Sequence, residues 1–120
     1  LPDYIYQALP NLDFDNNTNV SNYSRKNYLE FANIVKPDCL SLDYEIDPTW
    51  AINNLNNYCL QGGLDPKVLF KNENEMNSEV DKYLNIFKGH PYIFNLGHGL
   101  LPETSPEVLQ KVVERVNNFK

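Results

Sequence analysis

The chain has 120 residues, 42% of them apolar and 22% charged, with a formal net charge of -6. That size fits one small domain with a modest core. An acidic balance without any cluster of Lys and Arg argues against a nucleic-acid partner, because phosphate binding needs grouped cations. No apolar run approaches the roughly 20 residues that cross a bilayer, and the N-terminus lacks a basic-then-apolar signal pattern, so no membrane partner and a cytoplasmic location are expected.

Residues 1–27 form a polar segment, expected to be loop or weakly ordered. Tyr4–Tyr6 would suit a short strand, but the Asn-, Asp- and Ser-rich run from Asp13 to Ser24 has neither helical nor alternating period. From residue 28 onward, helix and strand patterns alternate. Leu29, Ala32 and Val35 share a helical face that ends at Lys36-Pro37-Asp38. Cys39–Asp43 has the length and apolar character of a strand. Asp47-Pro48 then opens a helix, Asp47 as N-cap and Pro48 in the first turn, with Ala51, Ile52 and Leu55 inward.

Tyr58–Gln61 reads as a second strand closed by Gly62-Gly63, and Pro66–Phe70 as a short helical turn. Met76, Val80, Tyr83, Leu84 and Phe87 follow at helical spacing up to the stop at Lys88-Gly89. Tyr92–Leu96 is a third strand. Ser105-Pro106 opens a last helix with Val108, Leu109, Val112, Val113, Val116 and Phe119 on its apolar face. Strands alternating with helices over short connections should be parallel and helix-covered. Three of them suit an open doubly wound sheet or an arc of a (β/α)8 barrel.

Ligands of parallel α/β folds sit where the strands end. Asp43-Tyr44-Glu45, Gln61-Gly62-Gly63-Leu64-Asp65-Pro66 and Asn95-Leu96-Gly97-His98-Gly99 occupy those places. The third is the most pointed: glycines on both sides let the backbone turn sharply and bring the His98 imidazole against a carboxylate. His90, ahead of Pro91, reads as a turn histidine. Asp43 fits a general base, a substrate contact or an anchor for loop amides, the last slightly preferred. Gly62-Gly63 lacks the rest of a dinucleotide fingerprint, and no Cys/His spacing suggests a metal site. Cys39 and Cys59 read as two buried thiols in a reducing compartment, with a disulfide as the other option.

Three ordered motifs carry a family resemblance over residues 28–120: Leu40-Ser41-Leu42-Asp43-Tyr44, Leu60-Gln61-Gly62-Gly63-Leu64-Asp65-Pro66, and Phe94-Asn95-Leu96-Gly97-His98-Gly99-Leu100-Leu101-Pro102. Together they resemble the C-terminal part of uroporphyrinogen decarboxylase. The resemblance implies an α/β fold that is the C-terminal portion of a (β/α)8 barrel, about half of it. It implies a homodimeric enzyme of heme biosynthesis that converts uroporphyrinogen to coproporphyrinogen and carbon dioxide, with no metal or organic cofactor. His98 would contact the tetrapyrrole, while Asp43, Gln61, Gly62, Asn95, Gly97 and Gly99 would frame the pocket.

The family's arginine-bearing motif, essential aspartate and substrate-contacting tyrosine and serine belong to the first half of the barrel. No catalytic residue is therefore expected among these 120, and the chain alone should be inactive. Gly63 stands where the family has Asn. A corrinoid-linked, zinc-using methyltransferase of the same fold fits less well, because Cys-Gly would be expected where His98-Gly99 stands. The non-enzymatic alternative is a remnant, or a split half-barrel that pairs with another chain.

Overall fold

The computed structural model describes residues 20–120, and side chains from Arg25 onward. The Tyr4–Tyr6 strand and most of the polar run lie outside the described residues. Helix α1 (Val20–Val35) is followed by β1 (Cys39–Leu42), α2 (Pro48–Asn54), β2 (Cys59–Gly62), a 3-10 turn (Pro66–Phe70), α3 (Glu73–Ile86), β3 (Tyr92–Ile93) and α4 (Pro106–Asn118).

The strands form one parallel sheet in the order β1-β2-β3, with Cys39 opposite Cys59, Leu60 opposite Tyr92 and Gln61 opposite Ile93. A strand order that follows the chain without reversal is an arc of a singly wound sheet; a doubly wound sheet would reverse at a switch point. The sheet is unclosed and its helices pack on one face, so the architecture is part of a (β/α)8-type barrel. Side chains alternate across the strands accordingly. Leu40, Leu42 and Leu60 are buried with Ala51, Leu55, Met76, Val80 and Phe87 in a single core. On the other face Cys39, Ser41, Cys59 and Gln61 are half-buried, and Ile93 is 50% exposed.

Local chemistry sets the helix starts. Asp47 accepts from the Thr49 amide at 3.0 Å, Asp65 from Lys67 at 2.9 Å and Asn72 from Glu75 at 2.9 Å, each satisfying an amide that has no helical partner. Proline occupies the first turn at Pro48, Pro66 and Pro106. Gly89, with φ of 82°, ends the region after α3.

Three expectations need correction. Among the described residues the first helix spans Val20–Val35, so it takes in part of the segment expected to be loop. Its packed face carries Asn27, Phe31 and Ala32, while Leu29 and Val35 are 44% and 47% exposed. Tertiary contacts outweigh the weak helix propensity of Asn and Ser: Arg25 lies 5.4 Å over the Trp50 ring, and Ala32 O accepts from the Tyr58 hydroxyl at 3.2 Å. The third strand spans only Tyr92–Ile93, and just beyond it Asn95 Oδ1 takes the Leu96 amide at 2.8 Å. In α4, Val113 is 45% exposed and only Val112 is fully buried.

Candidate functional site at the strand exits

The three loops leaving the sheet are held to one another by backbone contacts. Gly97 N donates to Leu64 O at 2.7 Å, and Leu64 and Leu96 form an isolated parallel bridge. These contacts join the second and third loops. A Cβ on Gly97 would overlap the Tyr44 backbone, standing 2.7 Å from its Cα, so a glycine here is what lets the third loop reach the first. A Cβ on Gly62, where φ is 83°, would stand 2.8 Å from Leu96 O.

His98 sits on the outside of this junction. Its ring is exposed, Nδ1 lies 3.4 Å from Gly99 O, and it makes a T-shaped contact with the Tyr44 ring at 6.4 Å between centroids and 84° between planes. The geometry corrects one detail of the motif. Neither Gly97 nor Gly99 has positive φ, and a Cβ on Gly99 would meet nothing within 4 Å. The sharp backbone at this end belongs instead to Gly62 and Gly63, with φ of 83° and 102°. Gly97 is required by close approach, and Gly99 by nothing in the described structure.

Asp43 follows β1 and acts inside its own loop: Oδ1 accepts from the Glu45 amide at 3.2 Å, and its own amide donates to the Tyr28 hydroxyl at 2.8 Å. Gln61 is half-buried on the open face of the sheet, one residue before the turn. Asn95 points its carbonyl into the Leu96 amide and borders a groove of about 200 Å³ with Phe94, Leu109, Val112, Val113 and Val116, on the helix side of β3. His90 is engaged away from the exits, Nε2 donating to Tyr58 O at 2.8 Å.

Two tyrosines that read only as apolar positions in the sequence hold the glycine turn. Tyr92 donates to Gly62 O at 2.6 Å and Tyr83 to Gly63 O at 2.8 Å. Burial, aided by the charges of Glu79, Asp47 and Asp65, pushes the Tyr83 phenol up to about 12, and burial raises Tyr92 as well. Both therefore remain protonated donors at neutral pH. Gly63 also makes room for Tyr83: a Cβ would lie 3.0 Å from the ring at Cε2. No local signal could have found these bonds, since donor and acceptor are 20 to 30 residues apart.

The arginines lie elsewhere. Arg115 forms a two-pronged pair with Asp81 at 2.7 and 2.6 Å between α4 and α3, and its hydrogen bonds hold the Asp81 carboxyl below the ordinary carboxylate range. Arg25 rests on Trp50. The exit loops thus present one exposed imidazole, the Tyr44 ring beside it, and a floor of fixed amides and carbonyls. Such a surface can donate hydrogen bonds to an anionic group. Among the described residues no helix is long and apolar enough to cross a membrane.

Comparison with known proteins agrees with this arrangement. The family model described as uroporphyrinogen decarboxylase (URO-D) matches residues 5–119. The uroporphyrinogen decarboxylase of Jannaschia sp. (strain CCS1) is 39% identical over 92 residues, covering 76% of this chain and 27% of that protein. That of Cereibacter sphaeroides (strain ATCC 17023) is 32% identical over 113 residues, 92% of this chain and 31% of its own length. The Wolbachia sp. subsp. Drosophila simulans (strain wRi) protein is 38% identical over 92 residues, 77% and 27% of the two chains. The chain spans less than a third of these relatives. With three in-order strands, the glycine junction at their exits and a match across nearly all its residues, it belongs to the uroporphyrinogen decarboxylase family.

Proposed function

We propose that this segment supplies part of the substrate mouth of a uroporphyrinogen decarboxylase, with His98 contacting a carboxylate of the tetrapyrrole. The observation that carries this reading is the exposed imidazole beside the backbone junction of the three strand exits. Uroporphyrinogen carries four acetate side chains, and the enzyme removes the carboxyl group of each as carbon dioxide, leaving four methyl groups, to give coproporphyrinogen. A neutral or protonated imidazole donates to such a carboxylate, and the rigid junction limits the entropy lost when it does so. Asp43, Gln61, Gly62, Asn95, Gly97 and Gly99 serve as framework in this reading. The homodimeric state and cytoplasmic location belong to the same proposal.

The 120 residues do not suffice for turnover. Stabilising the protonated ring and the other carboxylates calls for several fixed cations. The two arginines of the chain are Arg25 and Arg115, which face Trp50 and Asp81. Among the described residues β1 and β3 have unpaired outer edges, which supports a second reading, in which the segment completes a barrel with another chain.

The test uses the chain with uroporphyrin, a stable oxidised macrocycle bearing the same carboxylates, and follows the His98 imidazole resonances during titration. A saturable shift that is lost in His98→Asn, with the fold unchanged, is expected. Unmoved His98 signals, or a variant that loses its fold, would remove the substrate role. Incubation with uroporphyrinogen should release no carbon dioxide; turnover by this chain alone would overturn the claim that it is incomplete as a catalyst.

A further inference from the structure

The two cysteines lie at the opposite ends of the strands from His98. Cys39 opens β1 and Cys59 opens β2, about 10 Å from the exits at the rise of a strand. They are direct partners in the parallel register. Residues so paired point to the same face of the sheet and stand one strand spacing apart, about 4.8 Å. Among the described residues the core helices pack on the other face, and both thiols are free and half-buried. Neither sulfur has a strong bond to the backbone: each lies 3.9 to 4.0 Å from the carbonyl of the next residue. Burial, aided by the neighbouring Cys59, pushes the Cys39 thiol up to about 12. The pair is thus two adjacent thiols side by side on one sheet.

We propose that Cys39 and Cys59 form a vicinal dithiol site that chelates one soft, thiophilic trivalent centre, of which an organic arsenical is the representative. Both thiols condense with an arsenic(III) oxide: two As–S bonds form, the arsenic–oxygen bond breaks, and the two thiol protons leave with that oxygen as one water. Arsenic stays trivalent and no oxidant is consumed. Two sulfurs held by the sheet close the chelate without ordering a loop, so the folded chain should hold the ligand better than the unfolded one.

The experiment treats the reduced chain with one equivalent of phenylarsine oxide, measures intact mass, and then challenges with excess mercaptoethanol. A single bridging adduct that survives the monothiol and is removed by dithiothreitol is expected, together with a raised thermal midpoint. Cys39→Ser and Cys59→Ala should each lose the monothiol-resistant adduct entirely. Circular dichroism identifies a variant that has not folded, in which case the wild-type midpoint shift decides. Two arsenicals per chain, an adduct as durable in either variant as in the wild type, or a midpoint lowered by the adduct would each overturn the proposal. The lowered midpoint would mean that the unfolded chain is the better chelator.

Discussion

The two faces of the three-stranded sheet are built from the same strands yet serve different ends. On the helix side Leu40, Leu42 and Leu60 are 2% exposed or less, locked against α2 and α3. On the other side Cys39, Ser41, Cys59, Gln61 and Ile93 remain accessible. Stability is concentrated on the first face, and the reactive and hydrogen-bonding groups lie on the second or at its rim. In a barrel the second face looks inward, and the ligand-facing residues gather at the strand exits on its rim. A parallel strand of four residues serves both because its side chains alternate.

Perturbing each face in turn should separate them. Leu60→Ala removes a fully buried side chain from the middle strand and should cost about 2–5 kcal/mol. Ile93→Thr, on the open face, should change stability by less than about 0.5 kcal/mol. Equal losses in urea titrations of the two variants would abolish the distinction.

At the rim, Gly97→Ala forces a methyl into the Tyr44 backbone and should cost about 1–3 kcal/mol. Gly99→Ala, in open space, should be close to neutral. In the first variant the ring-current influence of Tyr44 on the His98 signals should diminish, which an NMR spectrum reads directly.

Tyr83→Phe deletes one hydroxyl bond to the glycine turn and should cost about 0.5–1.5 kcal/mol. The phenol is raised in the folded chain, so its contribution is complete below the unfolded value near 10 and is lost as pH rises toward about 12. The variant should therefore flatten the alkaline loss of stability over that window; an unchanged slope would show that Tyr83 does not titrate as its burial implies.

The smallest effect belongs to the outer helices. Asp81 is depressed by Arg115, so the pair helps above the ordinary carboxylate value and is lost as pH falls through the folded one. Because both groups are partly exposed, Asp81→Asn should only slightly reduce stability at neutral pH and weaken its acid dependence.

Much of this was readable in the chain itself. The helix starts at Asp47-Pro48 and Pro66, the apolar stripe from Met76 to Phe87 and the three strand positions all follow from local rules, because caps and periodicity act over a few residues. The motif Asn95–Gly99 also announced its place at a strand exit. The interplay of the glycines was not readable: the sequence suggests a sharp turn around His98, whereas the positive-φ backbone is at Gly62-Gly63 and Gly97 is a contact point for Tyr44.

What the sequence by itself determined is the succession of βα units and the family, since both rest on short patterns and ordered motifs. Only the tertiary structure decided that α1 takes in part of the polar segment, which tyrosines hold the glycine turn, and that Cys39 stands opposite Cys59. Each of those depends on residues brought together from distant positions by the strand register, and no local preference encodes such a meeting.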